Sequence, residues 1–188
     1  MRSHRLPLLP RLSRLLLGLG LALLLAAAPP ALASNHAGNG HFELFAGRYA
    51  PDLGTGDEET TYGLRGGYRL NDHFGLEAAA GRIEFSESIL EGNVVLADLS
   101  LKYILDPGGR VEWVLFGGPG WAFVDLKLRG LGEGQADSFT AHAGVAVEVN
   151  LGDRVYLRPD ARWRWFEKGG GGADLELSLA LGIRLGRL

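Results

Sequence analysis

The 188-residue chain has no cysteine, so neither a disulfide framework nor a thiolate metal site is open to it. Lysine is nearly as scarce: only Lys102, Lys127 and Lys168 occur, fewer than a water-facing surface ordinarily carries. Beyond Ala33 no apolar run approaches the ~18 residues of a membrane-crossing helix. Acids outnumber bases, 22 to 19, which sets nucleic acid aside as a partner. No nucleotide, metal or haem motif is present, so no cofactor is expected. The glycine run Gly169 to Gly172 lacks the strand–helix setting of a phosphate cradle.

What is present begins with an export signal. Arg2, Arg5, Arg11 and Arg14 precede the apolar run Leu15 to Ala28, with no acid among them. Pro29-Pro30 and the small-residue pattern Ala31-Leu32-Ala33 follow, which predicts a signal peptide over residues 1–33, cleaved after Ala33. Its removal leaves 15 of the 19 basic residues against all 22 acids, a net −7. A short polar leader over 34–39 then meets the folded domain, 40–188. An exported domain without disulfides needs another source of cohesion, and a closed backbone ladder within a bilayer supplies one.

The last stretch, Asp174 to Leu188, alternates without interruption. Leu175, Leu177, Leu179, Leu181, Ile183 and Leu185 share one parity, and Asp174, Glu176, Ser178, Ala180, Gly182 and Arg184 share the other. A period of two is the mark of a strand. The same alternation runs through Thr61 to Leu70, Asn93 to Leu105, Ser138 to Val149 and Val155 to Trp165. It is looser over His41 to Ala50, Phe74 to Phe85 and Val111 to Phe123. Tight turns at Asn71-Asp72-His73, Asp106 to Gly109 and Gly152-Asp153-Arg154 alternate with longer loops at Pro51 to Thr60, Ser86 to Gly92, Asp125 to Asp137 and Glu167 to Ala173. The expectation is an all-β, eight-stranded antiparallel up-and-down transmembrane barrel, with both termini at the short-turn, periplasmic end.

Alternation alone also fits a soluble, lipocalin-like barrel with its apolar face inward. Three features decide for the opposite orientation. Apolar-face aromatics gather at strand ends: Phe42, Tyr68, Phe74, Tyr103 and Trp113 beside the short turns, Tyr62, Trp121, Phe139, Trp163 and Trp165 towards the long loops. Two such girdles belong at two lipid–water interfaces. The other face is crowded with Gly, Ala and Ser, as the narrow interior of eight strands requires. Its charges also nearly balance, as ions in a narrow lumen must. Glu43, Glu77, Asp98, Glu112, Glu148, Asp160, Asp174 and Glu176 oppose Arg65, Arg69, Lys102, Arg158, Arg162, Arg164 and Arg184, with His142 among them.

Four residues sit awkwardly. Arg48 and Arg82 fall on the lipid-facing parity, where a midplane cation costs ~2–4 kcal/mol, unless a β-bulge near Gly47 or Gly81 flips them. Pro119 and Pro159 lie inside strands of a barrel without edges. A bulge or strand end is expected at Pro119, and Pro159 has no sequence explanation.

The segments YGLRGGYRLNDHFGLE (62–77), FGGPGWAF (116–123) and the closing strand resemble the small eight-stranded outer-membrane barrels, the family of the OmpA membrane domain and of OmpX. The resemblance spans Gly40 to Leu188. It implies residence in the outer membrane of a Gram-negative bacterium, among lipid and lipopolysaccharide. It also implies passage past periplasmic chaperones and the barrel-assembly machinery, and a monomer with a structural or surface-interaction role. Gly182, Leu185 and Leu188 resemble the family's C-terminal insertion signal, although Arg187 and a terminal Leu depart from its usual form.

Two other functions are open to a barrel of this size. A lipid A deacylase or acyltransferase could draw on Ser138, His142 and Glu148, but at strand rise Glu148 lies about 20 Å from His142, too far for a triad. Nor does the deacylases' His-x-Ser-Asn pattern occur. Arg158, Arg162 and Arg164 could line a narrow gated pore, against the tendency of eight-stranded lumens to be filled. The loops are acidic (Asp52, Asp57, Glu58, Glu59, Glu87, Glu91, Asp125, Glu133, Asp137), which reads as solvated surface or as carboxylates bridged by divalent cations to lipopolysaccharide phosphates.

Overall fold

The computed structural model describes residues 39–51, 58–86, 90–105, 110–128, 132–167 and 172–186. The predicted signal peptide, most of the leader, Asp106 to Gly109, Leu188 and the loop acids Asp52, Asp57 and Glu87 lie outside the described residues.

Alternating sequence becomes eight strands: β1 (Gly40–Ala50), β2 (Glu59–Arg69), β3 (Phe74–Ser86), β4 (Leu90–Ile104), β5 (Val111–Leu128), β6 (Gly132–Asn150), β7 (Val155–Phe166) and β8 (Ala173–Leu185). Each pairs antiparallel with its sequence neighbour, and β1 closes on β8. The registers define the cylinder. From Gly40, straight cross-strand partners run through Tyr68, Leu76, Leu101, Gly117, Ala143, Trp163 and Leu175, and return to β1 at Ala50, ten residues further on. Ten rises of ~3.3 Å against eight spacings of ~4.8 Å tilt the strands about 40° from the axis. At that tilt about ten residues cross the apolar layer of a bilayer.

Tight turns are built as their residues dictate. The Asn71 side-chain oxygen accepts from the backbone N–H groups of His73 (2.9 Å) and Phe74 (2.8 Å), an Asx turn that joins β2 to β3. Two expected long loops are shorter than the sequence implied. β5 and β6 remain paired to Leu128↔Gly132, so most of Asp125 to Asp137 is hairpin ladder. β3 and β4 pair as far as Ser86↔Glu91. Turn-forming residues mark where strands can end, and they do not stop a ladder already in register.

The registers also resolve the four awkward residues. β1–β8 and β2–β3 pairing is continuous past Arg48 and Arg82, with no bulge at Gly47 or Gly81. Both arginines point outward and are exposed. Neither proline bulges or ends its strand. Pro119 pairs with Ala141 of β6, while pairing with β4 lapses between Asp98↔Gly120 and Leu101↔Gly117 and resumes in the same register. Pro159 pairs with Leu179 of β8, while pairing with β6 lapses between Ala146↔Asp160 and Val149↔Leu157. A residue in an antiparallel ladder directs its N–H to one neighbour only, so a proline interrupts one side and leaves the other intact. Both prolines sit on the outer face.

Candidate functional site: the filled lumen and the two outer belts

Strand parity carries the charged side chains inward, and their burial is complete where the barrel is narrowest. Arg65, Arg158 and Arg164 are 0% exposed, as is Glu43. The interior is a continuous ionic lattice. In its upper part Asp98 accepts from Arg162 (2.6 Å) and from both terminal nitrogens of Arg164 (2.6 and 2.7 Å). Arg65 reaches Asp160 (2.6 Å) and Ser178 (2.9 Å), and Glu176 stands 3.9 Å from Arg65 and 3.7 Å from Arg164. Half-buried Asp174 accepts from the Tyr49 hydroxyl.

Further down, Arg158 bridges Glu43 (3.0 Å) and Glu77 (2.5 Å), and the Tyr156 hydroxyl donates to Glu43 at 2.7 Å. Lys102 joins Glu148 (2.9 Å) to Glu77 (3.3 Å). Arg184 links Glu148 (3.3 Å) to Glu112 (3.4 Å), where Arg69 also arrives at 3.4 Å. The charged side chains of this lattice lie on the inward parity of their strands, each beside a counter-ion or hydrogen-bond partner.

Several members escaped the sequence reading although they share the inward parity. The Arg65 guanidinium lies 4.1 Å from the Phe45 ring centre, and those of Arg158 and Arg162 lie 5.1 Å from Phe116. These rings offer their π faces to cations the carboxylates only partly surround. Above the lattice, towards the long loops, Tyr49, Ile83, Leu96 and Ala122 form a buried apolar layer, with Val94 and Phe166 packed against it. At the short-turn end a cavity of about 30 Å³ is lined by His41, Arg69, Lys102, Glu148, Tyr156 and Arg184. That is room for water, far below the ~300 Å³ of a small-molecule pocket.

Two arrangements invite a chemical reading. His142 does meet a serine and an acid, though not Ser138 and Glu148. Its Nε2 is 2.7 Å from Ser100 Oγ and its Nδ1 is 3.7 Å from Asp98. The order resembles a hydrolytic triad, but the His–Asp separation exceeds a hydrogen bond and Ser100 is 1% exposed, so no acyl group can reach it. His41, Glu43 and Glu77 also converge as cation ligands would. Arg158, Arg65 and Lys102 already neutralise those carboxylates, which leaves no charge for a metal to gain.

Outside, the wall is greasy. Leu44, Leu64, Leu101, Leu115, Leu177 and Leu181 are 45–60% exposed. The predicted aromatics all lie on this outer face, with Trp121 edge-on to Phe139 at 5.6 Å and Phe74 beside Tyr103 at 5.2 Å. Strand rise, spacing and tilt put the two groups on belts about 20 Å apart along the axis. Gly182 faces inward against the Tyr156 ring, and Leu185 points out at the short-turn end. Leu188 lies outside the described residues.

The family model described as outer membrane protein beta-barrel domain matches residues 19–184. The chain belongs to that family. No curated protein sequence matches it. Among solved structures, the N-terminal barrel domain of OprF from Pseudomonas aeruginosa is similar at 16% identity and a TM-score of 0.63, covering 79% of this chain and 98% of that one. Neisserial surface protein A is similar at 15% identity and a TM-score of 0.67, covering 78% and 97%. Ail, the attachment invasion locus protein of Yersinia pestis, is similar at 13% identity and a TM-score of 0.57, covering 78% and 97%. Identities this low speak for the fold alone.

Proposed function

We propose that this family member is a monomeric, non-conducting barrel of the Gram-negative outer membrane, with a structural or surface-interaction role and no catalytic one. The observation that carries this reading is the orientation of the wall. Half-exposed leucines ring the outside while fully buried arginines fill the inside. In water such a surface would far exceed the apolar patches soluble monomers tolerate. In lipid it is the low-energy arrangement, and the belts of Trp, Tyr and Phe then sit at the two interfaces.

The ionic lattice serves as a plug. It works together with the apolar layer around Leu96, which narrows the loop-side entrance with side chains that cannot replace the water an entering ion would shed. Export by the N-terminal segment, delivery by periplasmic chaperones and insertion by the assembly machinery complete the proposal, with Gly182, Leu185 and Leu188 as the insertion signal.

Three measurements test it. Fractionation should place the protein in outer membranes, and its gel mobility should change on boiling. In vesicles of bromine-labelled lipid the fluorescence of Trp113, Trp121, Trp163 and Trp165 should be strongly quenched, since all four contact acyl chains or their interface. Planar bilayers should show no discrete conductance. Recovery as a free monomer from periplasmic extract without surfactant would end this reading.

A further inference from the structure

The outer face carries few charges, and two of its arginines lie together. In the register Arg48 of β1 faces Thr60 of β2, which faces Glu84 of β3, and Ala46 faces Tyr62, which faces Arg82. Crossing two tilted strands from Arg48 climbs ~6 Å, and stepping back two residues along β3 descends ~5 Å. Arg48 and Arg82 therefore stand at nearly one depth, about 12 Å apart around the wall, with Tyr62 between them. That depth is also the depth of Trp163, at the upper belt.

The side chains there are organised. Tyr62 donates to Glu84 at 2.8 Å, and the same Glu84 oxygen forms an ion pair with Arg82, 3.0 Å from its Nε. Holding a guanidinium by Nε leaves its two terminal nitrogens as a fork directed away from the carboxylate, the geometry that takes two oxygens of a phosphate. The Arg82 side chain remains 49% exposed. Arg48 is exposed and has no acidic partner among the described residues. Two long side chains rooted ~12 Å apart converge readily on one phosphate between them.

We infer that Arg48 and Arg82, braced by Glu84 and Tyr62, bind a phosphate group on the sugar headgroup of an outer-leaflet lipopolysaccharide. The inference rests on the outer-membrane reading above, since it takes the long-loop end to be the outer leaflet. Charge complementarity commits it to an anionic headgroup. The depth commits it to one anchored by acyl chains, because a soluble anion would not stay among the belt aromatics.

Native mass spectrometry of the refolded barrel in zwitterionic micelles tests this. The probes are bisphosphorylated lipid A, its dephosphorylated form, phosphatidylglycerol and inorganic phosphate. Bisphosphorylated lipid A should be retained at least tenfold more tightly than either other lipid. Retention should fall tenfold or more in the R48Q/R82Q variant and several-fold in Y62F, which unbraces Glu84 while keeping the ring. The substituted groups point out of the wall, and an unchanged gel shift on boiling verifies that each variant has folded. Equal retention of phosphatidylglycerol, displacement by millimolar inorganic phosphate, or undiminished retention by a folded R48Q/R82Q barrel would each overturn the site. Those failures leave fractionation and lipid quenching of the unaltered protein as they are, so they are separable from failure of the outer-membrane assignment.

Discussion

Replacing Asp98 by alanine should cost about 3–5 kcal/mol of stability, the loss typical of breaking a buried ion pair from one side. The carboxylate is the shared counter-ion of Arg162 and Arg164, at 2.6 Å from each, and those residues are 1% and 0% exposed. Removing it strands two buried guanidinium groups with no other acid at hydrogen-bonding distance among the described residues. Arg164 then has Thr140 Oγ1 at 3.3 Å and the more distant Glu176 at 3.7 Å. Asp98→Asn, which preserves volume and one acceptor, should cost nearly as much, because charge rather than shape is what is lost. The measurement is the urea midpoint of the barrel in lipid vesicles, followed by tryptophan emission and by the boiling-dependent gel shift. The charge-neutral double change Asp98→Leu and Arg162→Met should recover part of the loss, since it removes one anion with one cation and leaves Arg164 facing Glu176. A drop below 1 kcal/mol for Asp98→Ala would mean that water enters the upper lumen and screens the arginines.

How much of this was legible in the chain follows from what parity does and does not encode. Direction survives translation well: Glu43, Arg65, Asp98, Arg158 and Glu176 fall on one face because a pleated strand allows only two. Partnership does not. Asp98 lies 64 and 66 residues from Arg162 and Arg164, and which residues meet across the lumen depends on a ten-residue stagger accumulated over eight registers. The same limit holds at His142: strand rise already separates Glu148 too far from it for a triad with Ser138, but only the registers show that its neighbours are Ser100 and Asp98 of β4.

The prolines were opaque because a parity string says nothing about which neighbour an N–H addresses, and that choice is what makes Pro119 and Pro159 tolerable. The apolar layer above the lattice was hidden too. Tyr49, Ile83 and Leu96 are ordinary hydrophobic residues whose meaning comes only from sharing the inward face near the loop end. Loop lengths were overestimated where Gly-rich sequence, as in Gly132 to Gly134, reads as a turn yet stays within the β5–β6 ladder.

Closure itself can be blocked at one atom. A Cβ on Gly47 would overlap the Leu177 carbonyl oxygen and lie 2.7 Å from the Ser178 Cα, both backbone atoms of the strand that seals the cylinder. Side chains can rotate away from an intruder, but a strand held at ~4.8 Å by its ladder cannot retreat without losing hydrogen bonds along the β1–β8 seam. Gly47→Val should therefore exceed the 1–3 kcal/mol of ordinary overpacking and leave no boiling-sensitive folded species in a refolding assay. Gly66→Val is the matched control. Gly66 faces outward, and its new Cβ would meet nothing nearer than the His41 carbonyl at 3.8 Å. That change exchanges a flexible residue for a strand former on the lipid face, and its folded yield should equal or exceed that of the parent. If Gly47→Val refolds as well as Gly66→Val, then β1 and β8 approach less closely than their register implies, and the seam has slack that a ten-residue stagger does not predict.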